Sequence, residues 1–362
     1  MPFHTPLYER KEIIGSDAFA RLQRHMLHNE LMLGAIHDAL AFAPEASEDV
    51  DHLGVYLIGI YIKRTDAPSD DDQPYAAGGE ADDTFVGAVL LAQTQATPLR
   101  MAVFISHPDP DAPVQIEEYC DAIVHVVTDI TEDYSFDEVQ SFAGSEPAVH
   151  RVRLILKARG THAIGTTMWM EWMQTYSTDV PITQRRNLVT VEIDEEPHLI
   201  RITYPTNKIH HSLMMKYYHR SIREALEGVT YVGLPELLYK YDIASFITTS
   251  KCGEIALVTT ERTDKVVAVL TINNRLPHIA RISSIHTREN WRCTGVATKC
   301  MPHIMNHIAA ARAGDGATSF PVSLVSSKHL WITDELRDMG FRKTSDETAL
   351  IHIEDRPPPR QV

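Results

Sequence analysis

The stretch ARISSIHTRENWRCTGVATKCM, Ala280 to Met301, constrains what this chain can be more than any other. It reads as a strand of branched residues, a short polar turn and a helix, with Arg292, Gly295 and Ala297 at the junction of turn and helix. A turn opening a helix aims several main-chain N–H groups at one point, and the first helical turn adds unpaired donors and a partial positive charge. Such a point binds phosphate. Gly295 lets the backbone approach a bulky anion, Ala297 keeps the next turn slim, and Arg292 supplies a cation in an acidic chain. Other phosphate loops fit worse, since no GxxxxGK[ST] occurs and no GxGxxG opens a βαβ unit. The absence of GxSxG argues against a hydrolase of the nucleophile-elbow type.

The elements around this segment are legible from periodicity. Near the N-terminus Ser16 caps an expected helix whose apolar residues Phe19, Leu22, Met26, Leu33, Ile36 and Leu40 recur at three, four and seven, ending before Pro44. Strands are expected at Val55–Ile62, Phe85–Leu91 and Arg100–Ile105, and helices at Val114–Val127 and Pro147–Lys157. The acidic, Gly- and Pro-bearing stretch Thr65–Asp83 reads as a solvated hairpin loop that could also recruit a basic partner. After the polar stretch Asp194–Asn207 a second series begins: a helix through Leu213–Leu226 closed by Gly228, a short helix near Pro235, and strands at Glu254–Thr260, Lys265–Ile272 and His278–Thr287. Then come a helix from Gly295 to Arg312, a strand at Pro321–Ser326, a helix ending near Gly340 and a strand at Ala349–Ile353. The halves echo each other, each opening with an amphipathic helix and continuing to a strand that reads VGAVLLA (Val86–Ala92) or VVAVLTI (Val266–Ile272). The expected domains are residues 1–200 and 208–355, and the expected class is α+β, each unit a mixed, mostly antiparallel twisted sheet flanked by helices.

Composition narrows the partners. The 362 residues carry 34 basic and 49 acidic side chains, a net charge of −15, which repels nucleic-acid backbones and tolerates a cationic partner such as an amine. The longest apolar run, Leu53–Ile62, is too short to span a bilayer and the start lacks an apolar leader, so no membrane partner and a cytoplasmic location, with the nucleus as the alternative, are expected. The cysteines Cys120, Cys252, Cys293 and Cys300 form no CxxC pair and read as inert thiols; Cys293 and Cys300 would share a face if both were helical. Of the 19 histidines, His210, His211 and His219 cluster in sequence, but no acid completes a ligand set, and no metal site is expected.

On these residues the chain resembles a family. IHTRENWRCTGVATKCM is similar to the acyl-CoA-binding motif of the GNAT superfamily of N-acetyltransferases, Arg or Gln, two residues, Gly, one residue, Gly or Ala, met here by Arg292, Gly295 and Ala297. The resemblance spans about Gly253–Ile353 and ends with RDMGF, Arg337–Phe341; the N-terminal half more loosely resembles the degenerate acetyltransferase-like half of longer members. The resemblance implies two acetyltransferase-like units, with acetyl-CoA or another acyl-CoA as the cosubstrate. It implies that Ile282–Thr287 splays from its neighbour, that Ile285 and Thr287 lie along the pantetheine arm, and that the diphosphate rests on Arg292, Cys293, Thr294, Gly295, Val296, Ala297 and Thr298. A backbone N–H near Ile285 or His286 would hold the acyl oxygen while an amine, on a small molecule or peptide, attacks directly. His286 is the candidate general base, with Glu254 and Glu261 as alternatives and an ordinary strand histidine as the structural reading. The family's Tyr, which protonates the leaving thiolate, is replaced by Leu336, and its cofactor-contacting Asn by His329. Neither Asp334, Glu335 nor Thr333 is a ready acid at neutral pH. A non-catalytic module that binds acyl-CoA or a protein partner is therefore the alternative to an enzyme. Trp291 would cover the cofactor or anchor the turn, and MWMEWM, Met168–Met173, would line an acceptor pocket or pack internally. Acceptor and oligomeric state are left open.

Overall fold

The computed structural model describes residues 3–41, 54–62, 83–94, 97–133, 139–158, 170–182, 188–193, 196–203, 255–260, 266–273, 276, 278–288, 291, 294–314, 316–327 and 333–352. By contacts the chain divides into unit 1, Met1–Met173 with Asp346–Val362, and unit 2, Gln174–Ser345.

Unit 1 opens with β1 (Phe3–His4) and β2 (Leu7–Glu9), both paired antiparallel to β3 (Tyr56–Ile62). Helix α1 (Asp17–Arg24) starts where Ser16 Oγ accepts the Phe19 N–H at 3.1 Å, the cap expected from sequence. The single helix expected through Leu40 is two helices. α1 stops at His25, whose backbone leaves the helical region (φ −113°, ψ 55°), and α2 (Glu30–Ala41) resumes after a turn in which the His28 and Asn29 N–H groups both return to the His25 carbonyl. Both pieces keep the apolar stripe inward through Phe19, Leu22, Leu33 and Ile36, so periodicity alone could not show the corner.

The sheet of unit 1 runs β1-β3-β4-β5-β6-β14, with β4 (Thr84–Thr94), β5 (Thr97–Ile105), β6 (Val139–Ser145) and β14 (Arg342–His352). Its β3–β4 and β4–β5 pairs are antiparallel. β5–β6 is parallel and is connected through helix α3 (Ile116–Asp133), as a parallel pair requires. Helix α4 (Glu146–Ala158) follows β6, and Thr348–His352 of β14 pairs antiparallel with Ser141–Ser145. The core gathers Ile60, Val89, Val103, Ile123, Phe142 and Val149, each fully or almost fully buried. At ~1.5–3 kcal/mol per buried side chain, such a cluster dominates the stability of the unit.

Unit 2 carries β7 (Met170–Pro181), β8 (Leu188–Ile193), β9 (Glu196–Thr203), β10 (Ile255–Thr260), β11 (Val266–Asn273), β12 (Ala280–Thr287) and β13 (Ser319–Ser327), in the order β7-β13-β12-β11-β10-β9-β8. β8–β9, β9–β10, β10–β11 and β11–β12 are antiparallel, and β12–β13 is parallel across helix α5 (Val296–Arg312). The polar stretch expected to separate two domains is partly β9, whose Ile200–Thr203 pairs with Leu257–Thr260. Units divided at 173/174 and 345/346 therefore replace the expected 1–200 and 208–355. Polar residues on the outer face of an edge hairpin mimic a linker, and only the buried Val191, Ile200 and Ile202 betray it. Val296, Cys300, Met301, Ile304, Met305 and Ile308 form the inward stripe of α5 against Val267, Ala280, Ile282, Val322 and Leu324. Helix α6 (Thr333–Asp338) ends with the Gly340 N–H on the Arg337 carbonyl and the Phe341 N–H on that of Leu336, a closure that seats Leu336 and Phe341 in the same core. No helix among the described residues is long and apolar enough to cross a membrane.

Candidate functional site

The site is built from two features of unit 2, the far half of β12 and the start of α5. Among the described residues β12 pairs with β13 at Ala280↔Val322, Arg281↔Ser323 and Ile282↔Leu324, although β12 continues to Thr287 and β13 to Ser327. No pair of described residues joins the two strands beyond Ile282. On its other side β12 keeps the register Ser284↔Thr271, Ile285↔Leu270, His286↔Val269 and Thr287↔Ala268, with Ile282 opposite Ile272, so Ser283 is an extra residue in the ladder. A one-residue bulge bends its strand and increases local twist, and here it falls where the parallel pairing stops. The strand expected to splay thus does so, and the sequence cue to the bulge is the Ser283–Ser284 pair inside an otherwise branched strand.

After β12 the Arg288 N–H returns to the Val267 carbonyl at 2.8 Å, and the Trp291 N–H to the Arg288 carbonyl at 2.8 Å. Thr294 Oγ1 donates to the Trp291 carbonyl at 2.7 Å. Trp291 packs against the core and meets the His198 ring edge-on at 5.4 Å, so it anchors the turn. Gly295 then enters α5 as N-cap with φ 74° and ψ 7°, the left-handed region that disfavours a Cβ. Gly295 has no side chain to cap the helix, no described side chain does so, and its first turn holds no acid. The first helical bond runs from the Lys299 N–H to the Gly295 carbonyl at 2.9 Å, so the amides of Val296, Ala297 and Thr298 precede the hydrogen-bond ladder. Among the described residues, a Cβ added at Gly295 would meet only Lys299 Cε, at 3.8 Å. These features fit a diphosphate, which needs close main-chain approach, uncapped donors and positive potential.

Of the residues singled out from sequence, Ile285, His286 and Thr287 lie on β12, Thr294 and Gly295 form the turn, and Val296, Ala297 and Thr298 are the first three residues of α5. Arg292, Cys293, His329, Glu254, Glu261 and Cys252 lie outside the described residues, as do His210, His211, His219 and residues 65–82 of the acidic loop. Trp172 falls on β7 and Trp169 outside the described residues. Cys300 lies on α5. Burial pushes the Cys300 thiol up to about 12 and the Cys120 thiol to about 11, which makes both poor nucleophiles. Sequence reasoning passed over Lys299, four residues after Gly295 on the same helical face; its stem lies over Gly295 and its Nζ donates to the Glu192 carbonyl.

The acid position is as bare as the sequence suggests. Leu336 is 1% exposed within the core. Asp334 is solvent-exposed and pairs with Arg337 at 3.2 Å. Glu335 is half-buried, and its Oε2 is shielded from solvent without a hydrogen-bond partner among the described residues.

The corresponding place in unit 1 is closed. β5 and β6 pair from Met101↔Val139 to Ile105↔Gly144, the end of β5. Gly144, at φ 143°, lets the backbones touch: a Cβ there would lie 1.9 Å from the Ile105 carbonyl oxygen. No arm can enter between these strands.

Comparison with known proteins gives likenesses of structure and none of sequence. No protein-family model matches the sequence, and no curated protein matches it either. Among solved structures, the chain is similar to a Drosophila protein at 10% identity, covering 97% of this chain and 98% of that one, with a TM-score of 0.52. It is also similar to a GCN5-related N-acetyltransferase from Sphaerobacter thermophilus, at 12% identity, 98% and 96% coverage and a TM-score of 0.48. A third is a tandem GNAT protein from the clavulanic acid biosynthesis pathway, at 10% identity, 98% and 100% coverage and a TM-score of 0.44. At such identities the likeness is one of fold alone. Unit 2 runs in the order hairpin, splaying strand, turn, helix, parallel strand and helix, and unit 1 repeats it with its two parallel strands closed, so the architecture is α+β, two units each built on a mixed sheet flanked by helices.

Proposed function

We propose that unit 2 is a cytoplasmic N-acetyltransferase that moves an acetyl group from acetyl-CoA, or another acyl group from its CoA thioester, to a primary amine in a ternary complex. The observation that carries the reading is the end of β12–β13 pairing at Ile282↔Leu324, beside an uncapped helix start at Gly295. In this reading the diphosphate accepts N–H groups of Val296–Thr298 and is drawn by the helix dipole. The released edge of β12 takes the pantetheine amides as an added strand would. A main-chain N–H at Ile285 or His286 donates to the acyl oxygen as negative charge develops there.

The acceptor nitrogen forms the new bond to the acyl carbon, and the carbon–sulfur bond breaks with its electron pair on sulfur. His286, directly or through water, takes the proton lost by the amine. Water supplies the thiolate proton, because Leu336 offers none. Positioning of two reactants supplies most of the acceleration in such a transfer. An acidic chain favours cationic acceptors, and polyamines, aminoglycosides, amino acids and peptides are the classes to try.

A second reading, a module that binds acyl-CoA without turning it over, is favoured by one observation, the burial of Leu336 where an acid is needed. Thiol release across the amine classes, with calorimetry against acetyl-CoA, separates the two. Binding with turnover, and a kcat lowered at least tenfold in His286→Ala, supports the enzyme. Binding without turnover for any amine supports the module, and no binding at millimolar acetyl-CoA overturns both.

A further inference from the structure

The β5–α3 connection of unit 1, Ser106–Gln115, occupies the same place in its unit as the turn before α5 does in unit 2, but its chemistry is reversed. Its sequence is SHPDPDAPVQ. Pro108, Pro110 and Pro113 have no N–H to offer. Every other N–H from Ser106 to Val114 is already used: Ser106 on the Ala88 carbonyl, Asp109 on that of Val86, Ala112 on that of Asp109 and Val114 on that of Ala112. The His107 N–H goes to Asn29 Oδ1 and the Asp111 N–H to Asp109 Oδ1. From Ser106 to Val114 the loop has no main-chain donor left for an anion, and it presents carboxylates instead.

Those carboxylates meet a histidine from another element. His25 Nε2, at the end of α1, lies 2.9 Å from Asp111 Oδ2 and 3.5 Å from Asp109 Oδ1, and the three ligand atoms lie within 4.8 Å of one another. Ligands bound at ~2.0–2.2 Å to one small divalent ion stand roughly 2.9–3.5 Å apart, the spacing of these two contacts. The Asp109 side chain is only 5% exposed, and among the described residues its ion-pair partner is His25. Two carboxylates facing a single ring nitrogen, one of them buried, make a place where a further cation is favoured. The C-terminal end of α1 adds negative potential at the same point. Asn29 holds the two loops together, accepting from the His107 N–H through Oδ1 and donating to the His25 carbonyl through Nδ2 at 3.4 Å.

We infer that His25, Asp109 and Asp111 form a divalent-cation site that ties the α1–α2 corner to the β5–α3 loop. One imidazole with two carboxylates suits a first-row ion such as Zn2+ or Mn2+ better than Ca2+ or Mg2+, with water completing the coordination. The site would stand where, in unit 2, the same loop position carries the anion-binding role proposed above. No local spacing could reveal it, since His25 lies 86 residues from Asp111.

The test uses the full chain stripped with EDTA and titrated with ZnCl2 by calorimetry, with thermal melts in parallel. One equivalent is expected to bind with a Kd of about micromolar or below and to raise the melting temperature by mass action. Asp111→Asn, at a largely exposed residue that leaves folding intact, and His25→Gln are each expected to weaken binding at least tenfold and to abolish the shift. Absence of binding at 1 mM zinc overturns the inference, as does unchanged affinity in both variants, which would put the ion on other histidines.

Discussion

Replacing Gly295 by alanine separates the fold from the proposed binding site. The residue sits at φ 74°, and an L-side chain in that region costs about 1 kcal/mol. Among the described residues the added Cβ meets only Lys299 Cε, at 3.8 Å, an ordinary contact that adds no steric cost. For a unit of this size a loss of about 1 kcal/mol lowers the melting temperature by roughly 2–4 °C. The effect on acetyl-CoA binding has a different origin. A methyl group held where a diphosphate oxygen approaches the main chain removes at least one charge-assisted hydrogen bond, about 2 kcal/mol, which is roughly 30-fold in Kd. Gly295→Asn sharpens the test, because asparagine tolerates the left-handed region and should recover most of the stability but not the affinity. Calorimetry with acetyl-CoA and thermal melts measure both quantities. An unchanged Kd in Gly295→Ala, alongside the expected drop in melting temperature, would refute the assignment of the diphosphate to this turn.

Three further outcomes follow from the packing. Gly144→Ala places a Cβ 1.9 Å from the Ile105 carbonyl oxygen, backbone that cannot yield, so urea denaturation should show a loss of at least ~2 kcal/mol; a change below ~0.5 kcal/mol contradicts the close approach of β5 and β6. Leu336→Tyr forces a phenol into a filled core and should cost ~1–3 kcal/mol without raising turnover, whereas a tenfold gain in turnover at unchanged stability would mean that the position faces the reaction. The thiols of Cys120 and Cys300 are pushed up to about 11 and about 12 by burial, so they stay protonated in the fold after the unfolded chain has begun to ionise near 9. Their contribution is complete below pH 9 and is lost as pH climbs toward those values, so the urea midpoint should fall between pH 9 and 11. Mass spectrometry after iodoacetamide at pH 8 should find both unlabelled until denaturant is added, and labelling in the native state would contradict their burial.

What the sequence disclosed was whatever depends on local pattern. The strand, turn and helix from Ala280 to Arg312 stand within two residues of expectation, because branched residues, a glycine and an apolar stripe each report on their own neighbourhood. The Ser16 cap was legible for the same reason. β6 and β9 were not, since VQSFAGS and EPHLIRIT carry few branched residues and gain their place by pairing with β5 and β10, far away in sequence. The same holds within the sites. Gly295 announced itself through the residues around it, but the bulge at Ser283 exists only relative to Thr271 and Ile272, and the triad of His25, Asp109 and Asp111 only through the corner between α1 and α2.

Amide hydrogen exchange of the full chain with and without saturating coenzyme A tests the central claim most directly. Slowed exchange at Val296, Ala297 and Thr298, with the Ser106–Val114 amides of unit 1 unchanged, is the expected result, because only the first set precedes a hydrogen-bond ladder and stands uncapped. Unaltered exchange at those three amides while coenzyme A is bound, or protection confined to unit 1, would contradict it.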